Sequence, residues 1–136
     1  MTTTAMNRDQ ARFNMIEQQI RPWNVLDTEV LQHLALLRRD DFAPAAHRDL
    51  AFADVEIPLL PDACPGQSML PPRLEARIFQ ELALRNTDTV LEVGSGSGYM
   101  AALLATLLRA GRPRHLTTPS CSRVRPHACR RRCYAS

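Results

Sequence analysis

From Asp88 to Arg109 the chain passes from an apolar run, Val90-Leu91-Glu92-Val93, through Gly94-Ser95-Gly96-Ser97-Gly98 into an Ala- and Leu-rich stretch starting at Tyr99. Few arrangements satisfy that order. The run reads as a strand over Thr89–Val93, the glycines as a sharp turn, and Tyr99–Arg109 as a helix. Glycine at alternate positions lets the backbone take positive φ and leaves no Cβ between the chain and a ligand. The free N–H groups of the first helical turn then face a polar or anionic group.

The spacing narrows the ligand. A dinucleotide-binding turn more often reads G-x-G-x-x-G. Here the third glycine comes one residue early, and Glu92 stands two residues before the first. Strand, acid, three alternate glycines and helix together point to the nucleotide site of an S-adenosylmethionine-dependent methyltransferase. The predicted fold class is α/β and Rossmann-like, truncated, with an α-helical N-terminal section.

Periodicity fills in the N-terminal section. Residues 9–20 are predicted helical, with Phe13, Ile16 and Ile20 on one stripe. Pro22 breaks that helix. Asp27 is placed to cap a second one with an apolar face of Val30, Leu31, Leu34 and Leu37. Arg38 and Arg39 suit its C-terminal end, and Pro44 opens a short helical turn toward Leu50. Residues 54–59 alternate like an edge strand, with Pro58 excluding a central position. Residues 61–72, with four prolines, read as loop. A helix from Pro72 to about Leu84 is expected to bury Leu74, Ile78, Phe79 and Leu82, followed by a turn at Asn86-Thr87-Asp88.

Charge divides the chain in two. Residues 1–110 hold ten Arg and fourteen acids, summing to −4, whereas 111–136 hold seven Arg and no acid, summing to +7. Three of the four cysteines, Cys121, Cys129 and Cys133, lie in that second part. Residues 1–110 are read as the N-terminal part of the domain and 111–136 as a basic, disordered tail. Its Arg, Pro, Cys and Ser content is that of GC-rich DNA read out of frame, so a frameshift near codon 111 is the hypothesis. The coding DNA tests it: if no one-base shift restores an apolar strand, the idea fails. Cys121, His127, Cys129 and Cys133 form no C-x-x-C pair, so no metal site is assigned. With Tyr134 as its only aromatic, the tail gives little support for a nucleic-acid partner. No apolar run approaches the ~20 residues of a membrane helix, and Met1–Gln10 is polar, so the expectation is a cytoplasmic protein.

Several segments together resemble the protein-L-isoaspartate O-methyltransferase family over about Arg12 to Arg109. Asp88 to Tyr99 is similar to its first methyl-donor motif. Phe13-Asn14-Met15, Arg38 to Pro44 and Ala51-Phe52-Ala53-Asp54 look like its N-terminal section, and Ile57-Pro58-Leu59 with Gly66-Gln67-Ser68-Met69 like the segment before its active site. The resemblance implies methyl transfer from S-adenosylmethionine to an isoaspartyl carboxylate in a damaged protein or peptide, a repair reaction. It also implies that Gly94, Ser95, Gly96 and Gly98 line the cofactor and that Glu92 contacts or shapes the site.

Two departures qualify what the resemblance implies. Where the family has its active-site serine this chain has Leu70, which donates no hydrogen bond, so no catalytic residue is assigned; Ser68 is a weak candidate. No Asp or Glu follows Glu92, so the acid that holds the ribose in such folds is missing. Two alternatives follow: a methyltransferase of another substrate, motivated by Leu70, and a non-catalytic remnant, motivated by the missing second half. A basic-tailed binding module rests on residues 111–136 alone.

Overall fold

The computed structural model describes residues 2–60 and 67–109. Residues 111–136, with the cysteines, His127 and the arginines of the tail, lie outside them. Helix α1 (Thr2–Met15) runs into a π turn over Ile16–Ile20, and a 3-10 turn over Arg21–Trp23 closes it at Asn24, φ 60°. A π turn takes an extra residue and so rotates Ile20 away from the row of Phe13. Met15, Ile16 and Ile20 are buried, while Phe13 is 57% exposed and is no part of the core. Asp27 caps α2 (Thr28–Leu36) as expected, accepting from the Glu29 and Val30 amides at 2.8 and 3.2 Å. Val30, Leu31 and Leu34 are buried beneath it and Leu37 packs partly against the core. The 3-10 turn at Ala45–Leu50 matches the short helix expected after Pro44.

Two short strands, β1 (Ile57–Pro58) and β2 (Ser68–Met69), pair antiparallel with Ile57 opposite Met69 and Pro58 opposite Ser68. Ile57 and Met69 point into the core. Helix α3 (Pro72–Glu81) stops at Leu82 because Ala83 takes a positive φ of 44°. Its inward row is Pro72, Glu75, Ala76 and Phe79; Leu74, Ile78 and Leu82, expected inside, are exposed. The inward row keeps Phe79 in the core, as expected, and sets Glu75 3.2 Å from the buried Arg39. Gln80 ties α3 to the start of α2, its Nε2 donating to the Asn24 carbonyl at 3.0 Å and its Oε1 accepting from the Leu26 amide at 2.9 Å. Helix α4 (Tyr99–Arg109) completes the core with Leu103, Leu104, Leu107 and Leu108.

The strand expected over Thr89–Val93 does not form. Only Leu91 makes a single bridge, and Leu91 and Val93 are 67% and 79% exposed. A parallel strand is stabilised by neighbours on both edges and helices on both faces; among the described residues none lies beside it. The described residues thus make a helical layer around a two-stranded ribbon rather than a doubly wound sheet.

Candidate functional site

The glycine loop takes the geometry its sequence demands. Gly94, Gly96 and Gly98 have φ of +80°, +53° and +80°. A Cβ on Gly94 or Gly98 would meet nothing within 4 Å, so it is backbone conformation and not crowding that calls for glycine there. The Gly98 amide donates to the Ser95 carbonyl at 2.7 Å, closing the turn, and the Tyr99 amide donates to Ser97 Oγ at 3.3 Å, capping α4.

Among the described residues a cavity of about 180 Å³ is lined by Glu92, Gly94, Ser95 and Gly96 of this loop together with Ser68, Leu70, Glu75 and Ile78. Six residues singled out from the sequence, Ser68, Leu70, Glu92, Gly94, Ser95 and Gly96, therefore converge. Gly98 does not line the cavity and serves the turn behind it. The Ser68 hydroxyl donates to Glu56 Oε2 at 2.8 Å. One Glu92 carboxylate oxygen is buried and finds no hydrogen-bond donor among the described residues, and burial raises the pKa of the Glu92 carboxyl above the ordinary range. A larger cavity of about 290 Å³ lies by Arg8, Arg48 and Phe52, away from the glycine loop. Among the described residues no group of three His, Cys, Asp or Glu is placed to hold a metal, and no helix is long and apolar enough to cross a membrane.

Sequence reading missed the centre behind the cavity. Arg39, expected at the end of α2, is 1% exposed. Its Nη2 donates to the Leu70 carbonyl and lies 3.2 Å from Glu75 Oε2. Its guanidinium stands 5.3 Å from the centre of the buried Tyr99 ring, which also meets Phe42 edge-on. One side chain thus joins the 3-10 turn at Arg39–Asp41, the loop after β2, α3 and the foot of α4. Burial pushes the Glu75 carboxyl up to about 7 against the opposing pull of Arg39, and lowers Arg39. Burial likewise raises the Tyr99 phenol. The only available signal was an acid spaced three residues after Pro72 on a helix that otherwise looks amphipathic.

The family model for protein-L-isoaspartate(D-aspartate) O-methyltransferase matches residues 10–116. The chain belongs to this family. A protein-L-isoaspartate O-methyltransferase 2 of an Anaeromyxobacter species is 40% identical over 99 residues, 73% of this chain and 39% of that protein. A protein-L-isoaspartate O-methyltransferase of Rhodopseudomonas palustris is 38% identical over 104 residues, 76% of this chain and 44% of its own length. One from Herpetosiphon aurantiacus is 37% identical over 100 residues. The chain thus spans about two-fifths of the length of these relatives, and membership in the isoaspartate methyltransferase family agrees with the glycine loop and the N-terminal helical section described above.

Proposed function

We propose that this chain carries the methyl-donor loop and the acceptor-side loop of a carboxyl O-methyltransferase that uses S-adenosylmethionine to methylate isoaspartyl groups in proteins or peptides. The observation that carries the reading is the cavity between Gly94–Gly96 and Ser68–Leu70, with the donorless Glu92 oxygen in its wall. The donor fits this wall: open positive-φ glycines admit close approach, and a buried carboxylate oxygen suits its positive charge. Bound there, it would supply an electrophilic methyl group. Gly94, Ser95 and Gly96 hold it and Glu92 orients it. Near neutral pH an acceptor carboxylate is already ionised, so no residue need remove a proton. What remains for the protein is alignment and exclusion of water.

A different acceptor is the second reading, favoured by one observation. Leu70 presents no hydroxyl, and that of Ser68 is engaged by Glu56. Calorimetric titration with S-adenosylmethionine, followed by methanol release from an isoaspartyl peptide, separates the readings. Saturable binding with methanol supports the first, and binding without methanol supports the second. No binding, together with a broad melt, indicates a remnant.

A further inference from the structure

A buried ion pair is a poor source of stability, because taking two charges out of water offsets most of what their attraction contributes. Arg39 and Glu75, 3.2 Å apart and both buried, are such a pair, and their surroundings satisfy them incompletely. Arg39 Nε and Nη1, Glu75 Oε2 and the Tyr99 hydroxyl are buried and find no hydrogen-bond partner among the described residues. Each such group is costly. Apolar side chains of the same volume would serve stability as well or better, so the guanidinium calls for a reason other than folding. Its one hydrogen bond among the described residues supplies that reason. Nη2 donates to the carbonyl of Leu70, at the family's active-site serine position, while the guanidinium lies over the ring of Tyr99, the residue that follows Gly98. Leu70 and the glycine loop both line the cavity, and Arg39 is not among its lining residues. The Leu70 side chain can neither donate nor accept a hydrogen bond, so what its loop offers is a fixed backbone.

We infer that Arg39 is a positioning residue for methyl transfer, holding the acceptor-side loop at Leu70 against the first turn of α4 at Tyr99 and so setting the gap between donor and acceptor. This rests on the reading of the cavity as the donor site. Arg39 touches neither reactant. A planar guanidinium bonds at its edge and stacks on its face at the same time, so two segments take their places from one group. Lysine at this position keeps the positive charge beside Glu75 but has neither plane nor fork. In-line transfer is sensitive to such a change, since a misplacement of about 1 Å costs roughly a hundredfold in rate. The glycine turn is closed by the Gly98 amide and the Ser95 carbonyl without Arg39. Donor binding and donor–acceptor alignment therefore separate.

The full 136-residue chain and its Arg39→Lys variant are compared by calorimetric titration with S-adenosylmethionine, by methanol release from an isoaspartyl peptide, and by hydrogen exchange with the donor bound. Arg39→Lys is expected to bind the donor as wild type does, with KM for it unchanged and kcat lower by about a hundredfold. Exchange should quicken at the Met69 and Leu70 amides and not at the Leu34 amide of α2. A role in stability alone predicts a lower Tm, faster exchange at all three amides and unchanged kcat, and that result overturns the inference. So does loss of donor binding in the same proportion as kcat. If Arg39→Lys does not fold, Arg39→Met with Glu75→Gln decides, because it leaves no unpaired buried charge. Donor binding with slow methanol release and local quickening at Met69 and Leu70 supports the inference; wild-type kcat, or failure to fold, overturns it. Wild type that binds the donor but releases no methanol removes the isoaspartyl acceptor alone, and exchange at Met69 and Leu70 then decides. Wild type that binds no donor removes the donor-site reading and this inference with it.

Discussion

Glu75 carries a pH signature of its own. In the unfolded chain its carboxyl titrates near the ordinary 4.5, and in the fold burial holds it near 7. Between those values the folded state binds the proton that the unfolded state has released, so stability falls as pH rises from about 4.5 to about 7. Below that window and above it Glu75 adds no slope. Glu92, also raised by burial, acts in the same direction. Melting temperatures across this range should decline more steeply for wild type than for Glu75→Gln; equal slopes would remove the assignment. A second prediction concerns Gly94, where φ is +80° and space is open. Gly94→Ala should cost about 1–2 kcal/mol in urea unfolding, from backbone strain alone. The need for glycine was legible because conformational freedom is a local property. The burial of Glu75 was not, because an acid in a helix reads as solvent-facing until its partner is known.

At the scale of elements, helices were read better than strands. Asp27 and the Val30, Leu31, Leu34 face were legible because a cap and a 3.6-residue period are encoded within a dozen residues. The row of α3 that faces inward was misread. Of the expected set Leu74, Ile78, Phe79 and Leu82, only Phe79 is buried; the inward row is turned by about one residue and sets Glu75 beside Arg39. The Thr89–Val93 run was read as a strand on β-propensity, which expresses packing on a half-buried surface and lapses where that surface is absent. This makes a contrast that stability measurements can check. Leu91→Ala should change unfolding free energy by no more than about 0.5 kcal/mol. Leu103→Ala, at a fully buried position in α4, should cost about 2–5 kcal/mol. A large loss at Leu91 would mean that its run is packed as a strand after all.

Over the whole molecule, Arg39 is the most consequential side chain. It joins segments separated by up to 60 residues, Arg39 to Tyr99, around a single guanidinium. Arg39→Met alone should cost about 3–5 kcal/mol, since it leaves Glu75 buried and unpaired, whereas Arg39→Met with Glu75→Gln should recover most of that loss. A double-mutant cycle in urea gives the coupling, and additive effects would show the pair to be uncoupled. The amino-acid sequence by itself determined the family, the glycine turn, the helix caps and most of the helices, because each is written in residues close along the chain. Only the tertiary structure decided that Arg39 is interior, that Glu75 and Glu92 line one cavity, that Ser68 is engaged by Glu56, and that Leu91 and Val93 stand in the open. Those outcomes depend on which surfaces meet, and burial and pairing energies belong to contacts between distant segments.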